Sequence, residues 1–194
     1  MEHAHEIDGH QRNQRSSGSI VSNQNAWTEA HMRGNVLADL NPKGATMSTT
    51  GLEVFDETVH KTNTWLKEIA TALGLERHGA YDVLRAVLHC LRDRLPVDET
   101  AHLGGQLPML ARGIYYEAWR PVGKPEKIRS REEFLAAIAT RMPMKVPIDP
   151  GDAVQAVFRT LENHVSAGEI RHVMQVLPED IRALWPPLEA DRIP

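Results

Sequence analysis

Two short motifs have residues that could do chemistry. Glu99-Thr-Ala-His102 and Glu169-Ile-Arg-His172 each set a carboxylate and an imidazole three residues apart. On a helix that spacing puts both groups on one face. Two Glu-x-x-His motifs with two further carboxylates are the ligand set of the di-iron centres built inside four-helix bundles. Asp82 and Asp152 would be the further pair. One reading is therefore a metal-binding or redox protein using Glu99, His102, Glu169 and His172. Three local arguments oppose it. Ser166-Ala-Gly-Glu169 reads as a capping box, which accounts for Glu169 without metal. Asp149-Pro150-Gly-Asp152 reads as an N-cap, a proline at the first helical position and an acid in the first turn. Asp82 and Glu99 open consecutive antiparallel helices, so they fall near opposite ends of a helix about 20 Å long. Only an arrangement across the two halves of the chain would bring the motifs together.

A second cluster is basic and aromatic. Tyr115, Tyr116 and Trp119 precede Arg120-Pro-Val-Gly-Lys-Pro-Glu-Lys-Ile-Arg-Ser-Arg131, whose only acid is Glu126. Bases with aromatics can contact phosphate or single-stranded nucleic acid. The plainer account is a solvated connector whose aromatics plug the seam between two helical units. Tyr116 and Trp119 cannot both share the side of Tyr115 on one helix. At least one faces outward, and with Arg120 the pair is a candidate protein contact.

The remaining reactive types are less suggestive. Cys90 shares a helix side with Val83, Val87, Leu91 and Leu95 and reads as a buried, inert thiol. Of the ten histidines, His3, His5, His10 and His31 lie in the first 50 residues and the others are scattered. Without cysteine partners they read as solvated or singly bonded. No glycine-rich phosphate loop, Gly-x-Ser-x-Gly elbow or His-Glu-x-x-His is present. No catalytic residue or cofactor is assigned, and enzymatic activity is not expected.

Composition bounds what can position these groups. The chain has 194 residues, 41% hydrophobic and 25% charged, a globular balance. Aromatics make up 5%, so the core is mainly aliphatic. A net charge of -4 gives no overall attraction to nucleic acid or anionic membranes. No apolar run nears the roughly 20 residues that span a bilayer, and the N-terminus lacks a signal-peptide pattern. A single cysteine fits a reducing compartment. The expected setting is the cytoplasm.

Residues 1–25 are polar and aperiodic, the pattern of a disordered segment. A short helix over 26–40 is weakened by Gly34 and Asn35. Residues 1–50 thus read as a disordered tail, or as an extension upstream of a start at Met47. From Leu52 helical periodicity takes over. Leu52, Phe55, Val59, Leu66, Ile69 and Leu73 form a stripe that Gly74 ends. Helices follow over 80–94, over 97–104 until Gly104-Gly105 breaks it, and from Pro108 to Trp119. After the 120–130 connector come helices near 131–142, 150–164, 167–176 and 178–185. No segment alternates like a strand.

The chain also repeats itself. Residues 82–115 align with 152–185 without a gap. The identities include Asp82/Asp152, Leu91/Leu161, Glu99/Glu169, His102/His172, Leu107/Leu177, Pro108/Pro178 and Arg112/Arg182. The expected fold is all-α: two tandem helical repeats, about 52–119 and 131–187, each with two long and two short helices. Either unit alone would expose an apolar face, so the two pack into one domain over 52–187.

Leu103-Gly-Gly-Gln-Leu-Pro108, then Gly113-Ile-Tyr-Tyr-Glu-Ala-Trp119, with Leu177-Pro178 running into Leu184-Trp185-Pro186, resembles an uncharacterised bacterial family, domain of unknown function 2267. The likeness covers about 52–187. The family tends to have glycine where this chain has Ala118. The resemblance implies an all-α fold and a bacterial cytoplasmic setting. It brings no established activity, hence no functional residues to carry over. The reading that results is a helical interaction module that binds a protein partner or homodimerises. Metal binding and a phosphate or nucleic-acid contact through 120–131 are the alternatives, and no membrane is expected as a partner.

Overall fold

The computed structural model describes residues 50–143 and 148–186, all within the unit Ser48–Pro194. The expectations for residues 1–49, including the 26–40 helix and the Met47 start, lie outside the described residues. The described residues form eight helices and no strand. In chain order these are α1 (Glu53–Leu73), α2 (Arg77–Arg94), α3 (Val97–Gln106), α4 (Met109–Tyr116), α5 (Arg131–Arg141), α6 (Pro150–His164), α7 (Ala167–Val176) and α8 (Glu179–Arg182).

Local sequence sets most of the boundaries. Gly74 ends α1 in the left-handed region, φ 64°, and its N–H returns to the Ala70 carbonyl. Ser130 and Glu133 form a reciprocal capping box at the start of α5. Asp149 caps α6 through the amides of Gly151 and Asp152, with Pro150 at the first helical position. Pro96, Pro108 and Pro178, all near φ -54°, each stand just before a short helix.

Several boundaries differ from expectation. Helix α3 runs through Gly104 and Gly105 to Gln106. Gly104 is there for packing: a Cβ on it would lie 2.2 Å from the Tyr116 hydroxyl. Helix α4 stops at Tyr116, not Trp119, because Ala118 turns the chain at φ 53°. Helix α5 has 11 residues against 21 in α1, so the second half has one long helix, not two. Met142-Pro143 stops it, since a residue before proline disfavours the helical region.

One buried cluster unites the helices. The central helix is α2, whose Val83, Leu84, Val87 and Leu91 are fully buried. It packs on α1, α4, α5 and α6, while α3 packs on α4 and α7. Phe158 and Trp185 stack at 3.9 Å, tying the last turn to α6. Positions seventy residues apart do the same local work. Arg112 donates to the Leu107 carbonyl and Arg182 to the Leu177 carbonyl, both at 3.1 Å.

Candidate functional site

The two Glu-x-x-His motifs lie on α3 and α7, which pack against each other across the halves of the chain. Yet His102 and His172 are both exposed. Glu99 and Glu169 are half-buried, and each has one buried carboxylate oxygen without a hydrogen-bond partner. Among the described residues no group of three or more His, Cys, Asp or Glu side chains is close enough to hold a metal. Only half of the capping box expected at Ser166 forms. The Ser166 hydroxyl accepts from the Glu169 amide at 3.4 Å, and no return bond to the Ser166 amide is made. Asp152 is exposed and lines an open pocket of about 490 Å³ with Gln155, Arg159, Ala72 and Leu73. Asp82 is no part of it.

The basic connector is not a loose solvated strand. It is fastened to the C-terminal end of α2 through Asp93. This buried carboxylate accepts from Arg92 Nε at 2.9 Å and Arg141 Nη2 at 3.2 Å, and pairs with Lys124 Nζ at 3.4 Å. The Asp93 carbonyl also accepts from the Glu126 amide at 2.8 Å, and Lys124 bridges on to Glu126 at 2.7 Å. Burial alone would raise the Asp93 carboxyl, but Arg92 and Lys124 outweigh it and hold it below the usual carboxylate range. Arg92 spans two roles, since its Nη1 also caps the end of α4 at the Tyr115 and Glu117 carbonyls. Sequence reading missed this cluster because Asp93 and Arg141 are 48 residues apart.

Cys90 sits beside it. Arg141 Nη1 lies 3.2 Å from the sulfur, but the thiol is fully buried, and burial pushes it up to about 12. A basic neighbour without exposure leaves it inert.

The aromatic candidates pack inward. Tyr116 is half-buried over Gly104, and its hydroxyl donates to the Thr100 carbonyl at 3.1 Å. Trp119 is half-buried with its ring 5.4 Å from Tyr116 and its indole N–H buried without a partner. Arg120 alone of the three is exposed. Just past the end of α4, Glu117 pairs with Arg85 at 2.6 Å.

A group of exposed apolar residues lies elsewhere. The stripe of α1 is buried from Thr62 onward, but its first turns run out beyond the core. There Val54 is 53% exposed, Phe55 43% and Val59 39%. The Leu110 amide donates to the buried Thr58 hydroxyl at 3.2 Å, which brings in Met109 and Leu110, 50% and 45% exposed. No periodicity argument finds this face, because buried and overhanging turns share one pattern.

Eight packed helices around one buried core define an all-helical domain. The chain belongs to the family of uncharacterized conserved proteins DUF2267, whose model matches residues 62–184. No curated protein matches the sequence. Among the described residues, no helix is long and apolar enough to cross a membrane.

Proposed function

We propose that the chain is a duplicated helical interaction module that self-associates through the overhanging end of α1 and the start of α4. The observation that carries this is the run of Val54, Phe55, Val59, Met109 and Leu110 on one end of the domain. Contiguous exposed apolar residues mark association surfaces. A second copy is the occupant because the five side chains are apolar, while the charges of the same turns, Glu57 and Lys61, already pair with each other at 2.7 Å. A twofold pairing therefore sets apolar against apolar without burying an unpaired charge. The paired arginine bonds seventy residues apart support the duplication. The same reading carries a cytoplasmic setting, supported by the single cysteine.

Sedimentation of the full chain over a wide concentration range tests the proposal. The expected result is a monomer–dimer equilibrium that Phe55→Asp or Leu110→Asp shifts to monomer, with unchanged helical circular dichroism. A parent chain that stays monomeric at every concentration overturns self-association. So does a dimer that tolerates both aspartates.

A further inference from the structure

The cations at the connector end of the domain have acidic partners, with one exception among those partly buried. Arg92, Lys124 and Arg141 share Asp93, and Arg85 has Glu117. Arg94, in the last turn of α2, is half-buried, and the bond it makes is from Nε to the Ile128 carbonyl at 2.5 Å. No carboxylate among the described residues faces it. Its charged neighbour is another cation, Arg129, and burial together with that charge pushes the Arg94 guanidinium below its ordinary value. Arg129 in turn lies near the Glu133 carboxylate, which leaves Arg94 as the cation without an acid. A desolvated guanidinium held near a like charge is costly unless an anion completes the site.

The connector explains how the two come together. Ile128 packs inward against the core while its carbonyl holds Arg94. Its neighbours Lys127 and Arg129 are exposed. The Nε bond to the Ile128 carbonyl holds the Arg94 guanidinium beside Arg129, and its terminal nitrogens make no hydrogen bond among the described residues. The amides of Arg129 and Ser130 are already taken by Glu133, at 2.8 and 3.4 Å, so side chains would do the binding.

We propose that Arg94 and Arg129 form a binding site for a phosphate dianion, free or as a monoester. Forked guanidinium donors match the several oxygens of phosphate, and such charge-assisted bonds are the strong ones. A polyanion such as single-stranded nucleic acid is the competing ligand class, but it would call for an extended basic track with exposed aromatics. Here Tyr116 and Trp119 are half-buried against α3 and each other, and Lys124 is tied to Asp93 and Glu126.

Isothermal titration of the full chain with inorganic phosphate, glycerol 3-phosphate and a short single-stranded oligonucleotide tests the site. It should be run at low, constant ionic strength. The expected result is saturable one-to-one phosphate binding. Arg129→Gln should weaken it roughly tenfold or more, the scale of one charge-assisted bond. Arg120→Gln, an exposed cation of the same connector, should leave it unchanged. Tighter binding of glycerol 3-phosphate identifies a monoester as the ligand, and binding of inorganic phosphate alone identifies the free ion. Absence of saturable phosphate binding overturns the proposal. Equal losses in both variants do so as well, since that is the behaviour of diffuse charge. So does oligonucleotide binding without phosphate binding.

Discussion

Replacing Ala118 by glycine should stabilise the protein. Ala118 is the one described non-glycine residue with a positive φ, at 53°. An L-residue in that region costs about 1–2 kcal/mol relative to its preferred basins. Glycine removes that cost but adds freedom to the unfolded chain, worth about 0.4–1 kcal/mol in the opposite direction. Ala118 is exposed, so no packing is lost. The net expectation is a gain of about 0.5–1 kcal/mol, or about 2–4 °C in the melting midpoint of a domain this size. The same chemical change at Ala101, exposed inside α3, should cost about 1 kcal/mol, because there glycine only loosens a helix. Thermal and urea unfolding of the two variants beside the parent reads both effects. Opposite signs are required. An Ala118→Gly variant no more stable than the parent would refute the assignment of strain to this turn.

Three further outcomes follow from the packing and charges described above. Asp93→Asn should destabilise by about 3 kcal/mol or more in urea unfolding, because Arg92, Lys124 and Arg141 lose their shared buried counter-charge. Gly104→Ala should cost about 1–3 kcal/mol by forcing Tyr116 aside, whereas Gly105→Ala, with nothing within 4 Å of the new methyl, should gain about 0.5–1 kcal/mol. His89 is buried and hydrogen-bonded at 2.7 Å to the Ile114 carbonyl. Burial, helped by Arg92 and Arg85, lowers its pKa from 6.5 despite that bond and Glu117. The unfolded chain therefore takes up the proton first on acidification. This contribution is whole above pH 6.5 and is lost as pH falls towards the folded value. Unfolding free energies of His89→Gln should lack that decline.

Much of the fold was legible because its signals are local. Gly74 as a terminator, Asp149-Pro150 as a helix start and the apolar stripes of α2 and α6 all act within a few residues of themselves. The reciprocal cap at Ser130 was equally local, in Ser130-Arg-Glu-Glu133, and reading the segment as connector hid it. Gly104 was misread because glycine breaks helices only when nothing rewards its missing side chain. Here the Tyr116 ring fills that space. Asp93 was invisible for another reason: its meaning lies in Lys124 and Arg141, whose approach is set by how α2, the connector and α5 pack. The Glu-x-x-His pairs show the limit from the other side. Their spacing is right, and α3 does meet α7, but whether imidazoles turn inward or outward is decided by tertiary packing. The turn at Ala118 was not legible, because alanine seldom adopts the positive φ it has here.

Helix α1 is a single element in hydrogen bonding and two in energy. From Thr62 to Leu73 it is anchored by Trp65, Leu66 and Ile69 in the core. Before that, only Thr58 is buried. Opening the first turns costs little beyond a few backbone bonds, while opening the last turns means unfolding the domain. Amide protons should therefore exchange along α1 in a gradient spanning orders of magnitude, steepest near Thr62. A second copy covering Phe55 and Val59 would flatten that gradient from its N-terminal side, so one helix would record both the folding of the domain and its assembly.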